Sequence, residues 1–183
     1  LGITSLVKDD ENPALALGGL TRGVSNLELT QAFSAIANGG ELEKAKFFSK
    51  IVDQDGKVLI DTTEDKPTQV MKATTAYLLT DAMKESMESN RAFASDVRVS
   101  STSTRAHFDG MSQAGKSGTT SNNRDIWFIG YTPYYIGGVW GGCDDNQVLK
   151  DAKTGEYNGG TGFHKDIWRK IMTKIHEGKT DPG

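Results

Sequence analysis

The sequence predicts an α+β fold, an antiparallel sheet flanked by helices. Three observations carry that reading. Stripes of apolar residues at helical spacing mark three helices. An Asp-Gly turn between two apolar runs marks a hairpin. Three strand-sized runs between residues 111 and 141, joined by short turns, mark antiparallel neighbours.

Ser25 with Glu28 three residues on is a capping box. Leu29, Ala32, Phe33, Ile36 and Ala37 then give the stripe of an amphipathic helix over about 27–38. Asn38-Gly39-Gly40 ends it, because glycine accepts the left-handed conformation of a helix stop. Residues 47–52 and 57–60 flank Asp53-Gln54-Asp55-Gly56 as a hairpin. After Pro67, residues 68–89 read as a longer helix with Met71, Thr75, Leu78, Ala82 and Met83 along one side. The serine-rich stretch 95–104 reads as a loop.

Strands are predicted at about 111–120, 126–131 and 135–141, with turns at Asn122-Asn123 and Thr132-Pro133. Residues 144–160 are polar and read as a loop. The closing helix, 163–176, sets Ile167, Trp168, Ile171 and Ile175 on one face, which packs on the sheet. Residues 178–183 should be a flexible tail that frays. The sheet's other face has no evident cover, so the sheet reads as incomplete, with residues 1–177 as part of a larger domain.

With 183 residues, 36% hydrophobic, 21 glycines and 4 prolines, the composition is that of a globular piece and not of a disordered one. No apolar run approaches the ~18–20 residues of a membrane helix. A net charge of −3 with mixed signs and no basic cluster excludes nucleic acid as the expected partner. Cys143 is the single cysteine, so no internal disulfide forms, and its role stays open. His107, His164 and His176 fall in no ligand spacing and read as surface or half-buried residues; no metal or other cofactor is expected. The chain opens at Leu1 without a signal-peptide pattern, so it is expected to be a processed product or fragment, with any anchor or export signal preceding it.

The chemistry concentrates at Lys116-Ser117-Gly118-Thr119. Residues 110–117 satisfy the phosphate-loop expression G-x-x-x-x-G-K-[ST], which requires a preceding buried strand and a helix opening at the Lys-Ser. Here residues 101–108 are polar and Gly118-Thr119-Thr120-Ser121-Asn122-Asn123 is a poor helix start, so nucleotide hydrolysis is a remote alternative. A strand fits better. Alternation sets Ser117 and Thr119 on one face and Lys116 and Gly118 on the other. On an edge, its main chain pairs with an extended peptide, the hydroxyls donate to the peptide's carboxylate, and Lys116 supplies positive charge. Gly118 is expected to admit another element where a Cβ would collide. The bland alternative is a surface strand with an ordinary lysine.

The neighbours sharpen the choice. Asp125-Ile126-Trp127-Phe128-Ile129-Gly130-Tyr131-Thr132-Pro133 and Gly138-Val139-Trp140-Gly141-Gly142 resemble the strands that follow the Lys-Thr-Gly motif in class A penicillin-binding proteins. Ala16-Leu17-Gly18-Gly19, residues 23–29, Ala32-Phe33 and residues 37–40 resemble that family's helix before the motif. The resemblance implies the C-terminal part of a transpeptidase domain of the penicillin-binding, serine β-lactamase-like fold. It makes Lys116 the catalytic cation, Ser117, Gly118 and Thr119 substrate-binding, and the Thr119 amide an oxyanion donor. Trp127, Phe128 and Trp140 are expected in the core.

The same resemblance implies a peptidoglycan D,D-transpeptidase that β-lactams inhibit, with a parent chain that is also a glycosyltransferase, anchored in the cell membrane and facing outward. No serine followed three residues later by lysine stands at a helix start, so the nucleophile and the Ser-x-Asn motif are expected on an upstream segment. That segment, stem peptides and β-lactams are the implied partners. A D,D-carboxypeptidase, a serine β-lactamase-like hydrolase or a non-catalytic peptidoglycan-binding relative stays open. Lys153-Thr154-Gly155 and Ser121-Asn122-Asn123 repeat the family's patterns in loop and turn contexts and are expected to be decoys.

Overall fold

Ser25 caps the first helix, α1 (Asn26–Ala37), as its spacing with Glu28 requires. Ser25 Oγ accepts from the Glu28 amide at 3.2 Å, and Glu28 Oε2 accepts from the Ser25 amide at 3.1 Å. The second carboxylate oxygen of Glu28 accepts from the Thr4 amide, the Thr4 hydroxyl and the Ser5 amide at 2.9, 2.8 and 3.0 Å. One side chain therefore ties the start of the chain to the start of the helix. Those donors, the Thr4 hydroxyl foremost, hold its carboxyl down to about 2.

The computed structural model describes residues 1–88, 91–94, 97–150, 154 and 162–183. The chain divides into two units, Leu1–Ala76 and Tyr77–Gly183. In the first, α1 is followed by β1 (Glu41–Leu42), the hairpin strands β2 (Lys50–Val52) and β3 (Val58–Asp61), and β4 (Thr68–Gln69). The hairpin turn is built as its Asp-Gly pattern predicts. Asp53 Oδ1 accepts from the amides of Asp55 and Lys57, and Gly56 takes φ +80°.

The second helix differs from its sequence expectation at the N-terminus. Residues 68–69 are β4, paired antiparallel with β1 in the register Leu42↔Thr68 and Glu41↔Gln69. The Gly40 carbonyl also accepts from the amides of Val70 and Met71. Extended backbone at 68–69 is incompatible with helical dihedrals, so α2 starts later and spans Ala73–Met87. Its buried side differs as well: Met83 and Met87 are buried, while Tyr77 and Leu78 are exposed. Two polar pins fix that rotation, Thr80 Oγ1 to the Tyr131 hydroxyl at 2.7 Å and Ser86 Oγ to the Gly115 carbonyl at 2.6 Å.

Past α2, β5 (Arg91–Ala94) and β6 (Val97–Val99) form a small antiparallel pair, so the stretch read as a loop from residue 95 includes a strand. Val-Arg-Val has the alternation a strand needs, which the surrounding serines masked. A single 3-10 turn at Thr104–Ala106 follows. The main sheet is β7 (Ala114–Thr119), β8 (Asp125–Tyr131) and β9 (Ile136–Gly142), antiparallel and ordered β7-β8-β9. Asn122 and Asn123 turn the chain between β7 and β8 with φ of +60° and +49°.

The last helix, α3 (Phe163–Ile175), packs on β8 and β9 through three glycines. A Cβ at Gly130 would stand 2.7 Å from the Trp168 ring, one at Gly137 3.2 Å from it, and one at Gly141 2.7 Å from the Phe163 ring. These positions are cross-strand neighbours or near neighbours on one face, so they form a groove that only hydrogen side chains leave open. The buried residues of α3 are accordingly His164, Trp168 and Met172, whereas Ile167, Ile171 and Ile175 are exposed. The expected isoleucine face lost to the larger ring that fits the groove. Trp168, Phe128, Met87, Met172 and Phe108 form the core.

Trp127 and Trp140 lie on the opposite face of the sheet from Phe128. They pair with ring centroids 6.3 Å apart, and Trp140 is 37% exposed, so of the three expected core aromatics only Phe128 is buried. Residues 178–183 lack regular structure and are tethered. The Tyr134 hydroxyl donates to the Thr180 carbonyl, Asp181 accepts from the Ser112 amide and hydroxyl, and the Lys179 ammonium lies 4.8 Å from the Tyr134 ring centre. The Gly183 amide donates back to Asp181 Oδ1 at 3.3 Å.

Candidate active site on the edge strand

β7 carries all four residues that the sequence singled out, and its register decides which way their backbone groups point. Lys116 faces Ile129 and Gly118 faces Trp127 across the ladder. The Thr120 amide donates to the Asp125 carbonyl at 3.0 Å, which makes 120 and 125 a hydrogen-bonded pair. In an antiparallel ladder such pairs alternate, so 118, 116 and 114 also bond inward. The amides and carbonyls of Gly115, Ser117 and Thr119 therefore point outward. Two contacts occupy that outer side: Ser86 Oγ on the Gly115 carbonyl, and the Lys116 ammonium on the Ser117 carbonyl, both at 2.6 Å. Among the described residues no strand pairs with this edge.

The side chains alternate as expected. Ser117 and Thr119 share the face of their partners Phe128 and Ile126; Lys116 and Gly118 share the face of Ile129 and Trp127. Gly118 is not the close-packed glycine it was expected to be. A Cβ there would meet only Trp127 Cβ, at an ordinary 3.5 Å, so nothing among the described residues demands a glycine. The tight glycine of this strand is Gly115, where a Cβ would stand 2.7 Å from Phe128.

Two further residues join the site that sequence reasoning missed. Ser117 Oγ donates to Thr102 Oγ1 at 3.2 Å, and the Lys165 ammonium donates to the Thr102 carbonyl at 2.6 Å. Lys165 is half-buried. Burial pushes its pKa down, and the charges of Arg105 and Lys116 push it the same way. Arg105 is neutralised by Asp166, which it grips through Nε and Nη2, and Arg169 approaches the same carboxylate at 3.7 Å. Lys116 and Lys165 have no carboxylate partner among the described residues. Thr102 and Lys165 come from a turn and a helix distant in sequence, and no local pattern marked them.

The competing motifs fare as follows. The phosphate-loop reading fails because Lys116 and Ser117 stand in the middle of a strand and a strand-to-strand turn follows, leaving no helix N-terminus to hold a phosphate. Ser121-Asn122-Asn123 is that turn. Lys153 and Gly155 lie outside the described residues; Thr154 lies in a turn. Ser5-Leu6-Val7-Lys8 spells Ser-x-x-Lys, but Ser5 is in irregular chain and Lys8 opens a three-residue 3-10 turn, so no helix sets the two side chains on one face.

Of the histidines, His107 is exposed, while His164 and His176 are buried against the expectation for them. His176 Nε2 meets Thr132 Oγ1 at 2.8 Å and Nδ1 meets the Met172 carbonyl at 2.7 Å. His164 has no hydrogen-bond partner for either ring nitrogen among the described residues. Among the described residues no cluster of His, Cys, Asp and Glu could hold a metal, and no helix is long and apolar enough to cross a membrane.

The family model described as the penicillin binding protein transpeptidase domain matches residues 10–168. Penicillin-binding protein 1F of Bacillus subtilis is 33% identical over 177 residues, 92% of this chain and 22% of that protein. Penicillin-binding protein 1A of Clostridium botulinum is 31% identical over 163 residues, 89% of this chain and 18% of that protein. The chain thus spans about a fifth of the length of these curated relatives. The structure of PonA1 from Mycobacterium tuberculosis in complex with penicillin V superposes with a TM-score of 0.75 at 25% identity, covering 100% of this chain and 49% of that one. Order of elements, edge strand and match all agree: the chain belongs to the penicillin-binding protein transpeptidase domain family.

Proposed function

We propose that residues 1–177 are the C-terminal portion of a peptidoglycan D,D-transpeptidase domain, and that β7 is the strand on which its peptide substrate lies. The observation that carries this is the outward row on β7: the Thr119 amide, the Ser117 carbonyl and the Lys116 ammonium along one open strand edge. An extended D-Ala-D-Ala stem peptide pairs with that edge by strand addition. Its terminal carboxylate is held by the Ser117 and Thr119 hydroxyls and by the charge of Lys116, with Gly118 leaving room on the opposite face.

The nucleophilic serine is assigned to an upstream segment bearing Ser-x-x-Lys, with Ser-x-Asn beside it. Its Oγ bonds to the penultimate D-Ala carbonyl carbon. The carbon–nitrogen bond to the terminal D-Ala breaks, and the departing amine takes a proton. The Thr119 amide is one donor to the oxyanion that forms on the carbonyl oxygen, where a fixed donor is worth most. An amine of a neighbouring strand then attacks the ester and restores the serine. A β-lactam acylates the same serine by opening its ring amide. The parent chain is assigned a peptidoglycan glycosyltransferase as well, with a membrane anchor before this segment and the domain on the extracytoplasmic face.

Acylation by a fluorescent penicillin tests the reading. The 183-residue chain alone should take no label, and the chain together with its upstream segment should. A hydrogen bond to a charged group contributes about 1.5–3 kcal/mol, so Lys116→Ala should slow acylation roughly 10- to 150-fold. An unchanged rate in that variant, or covalent label on the isolated chain, overturns the assignment.

A further inference from the structure

We propose that Lys165 is the second cation of the carboxylate site and a positioning residue for it, acting through Thr102 on Ser117. The inference rests on the reading of β7 as the peptide-binding strand, and it adds residues that the strand itself does not contain.

Three contacts form a continuous line from α3 to the strand edge. The Lys165 ammonium donates to the Thr102 carbonyl at 2.6 Å, and Ser117 Oγ donates to Thr102 Oγ1 at 3.2 Å. The Lys116 ammonium then caps the Ser117 carbonyl on the outer side of the same residue. Ser117 is thereby bracketed by two lysines, one reaching it through Thr102 and one directly.

The charges on this line do not balance among the described residues. Arg105, the nearby guanidinium, is satisfied by Asp166. The charge of Lys116 acts on Lys165, and neither lysine has a carboxylate partner among the described residues. Holding two like charges this way costs free energy that an anion between them recovers. Lys165 is also half-buried, where an ammonium is poorly hydrated and gains most from a ligand charge.

The hydroxyls supply the connection. Each is both donor and acceptor, so the pair can reverse its direction. In the structure Ser117 donates to Thr102. With a carboxylate at the strand edge, Thr102 donates to Ser117 and Ser117 donates to the carboxylate. Lys165 fixes the Thr102 backbone so that this reversal needs only two O–H rotations. The ligand favoured is one that ends in a carboxylate; the same peptide ending in an amide loses the benefit of both lysines.

The test uses the chain together with its upstream segment, labelled at lysine ¹³Cε and titrated with N-acetyl-D-alanyl-D-alanine and with its C-terminal amide. The carboxylate should shift both Lys116 and Lys165 saturably. Lys165→Met should weaken carboxylate binding about three- to tenfold, the scale of a solvent-screened charge, and leave the amide unchanged. Lys165→Arg should recover most of the loss, which a merely structural defect would not allow. Thr102→Val should remove the Ser117 contribution with Lys165 intact. If the carboxylate moves Lys116 with equal affinity in wild type and Lys165→Met, the role of Lys165 is overturned and the strand reading stands. If the carboxylate leaves Lys116 itself unmoved, the strand reading falls, and this inference with it.

Discussion

Trp168 lies directly on Gly130. Its indole Nε1 donates to the Gly130 carbonyl at 3.2 Å and to the Gly137 carbonyl at 3.0 Å, and a Cβ at Gly130 would stand 2.7 Å from the ring. The ring is 1% exposed and meets Phe128 edge-on at 5.2 Å. One side chain thus joins helix, sheet and core through both packing and hydrogen bonds.

Gly130→Ala should therefore destabilise the second unit by about 1–3 kcal/mol, the usual cost of forcing a methyl into a filled site. Trp168→Ala should cost about 3–5 kcal/mol by leaving a cavity. Gly118→Ala, with only Trp127 Cβ near, should stay within about 0.5 kcal/mol. Urea denaturation of the three variants checks the order, and a Gly130→Ala as stable as wild type contradicts the close contact.

The same contact explains where the sequence was legible. The capping box of Ser25 and Glu28, the Asp-Gly turn and the three strands follow from local patterns, and each is present. Helix faces are not local. Hydropathy favours Ile167, Ile171 and Ile175, yet the groove made by Gly130, Gly137 and Gly141 selects Trp168 and Phe163. Residues 68–69 likewise became strand because β1 was there to pair with them. For the site, the strand motif was visible because its four residues are consecutive. Thr102 and Lys165 reach it only through the fold.

Glu28 should act as an acid-labile clasp. Its carboxyl is held down to about 2 by the donors of Thr4 and Ser25. A depressed carboxyl contributes stability that is present above its ordinary value of 4.5 and is lost as pH falls through the folded value. The first unit should lose this support between about pH 4.5 and 2. Glu28→Gln should weaken that unit at neutral pH and flatten its response in this window. Amide exchange at Thr4 and Ser5 against pH is the measurement, and unchanged protection of both amides in Glu28→Gln would contradict it.

His164 predicts a second, separate window. Its ring is buried without hydrogen-bond partners among the described residues, and burial lowers it to about 4, with Lys165 and Arg105 adding to the shift and Asp166 opposing it. The unfolded chain takes up this proton near 6.5 and the folded chain only near 4, so stability falls as pH drops across that interval. His164→Leu should remove this part of the slope and leave the loss below it intact. Denaturation midpoints between about pH 7 and 4 check it; identical slopes for wild type and variant would contradict the buried neutral ring.

The outward amide of Thr119 separates function from fold most cleanly. Proline lacks an N–H, and on an edge strand it is tolerated where that N–H faces away from the ladder. Thr119→Pro should therefore keep the β7–β8 pairing and cost little stability, because the inward bonds belong to Lys116, Gly118 and Thr120. It should nevertheless suppress acylation by penicillin in the protein bearing the upstream segment by roughly a hundredfold or more, the scale of one lost oxyanion donor. Gly118→Pro is the control, since it removes an inward ladder bond and should lower the unfolding midpoint far more than Thr119→Pro does. Thr119→Ala keeps the amide and loses only the hydroxyl, so it should retain more acylation than Thr119→Pro. A well-folded Thr119→Pro that acylates at the wild-type rate would remove the Thr119 amide from the mechanism, whatever the role of Lys116.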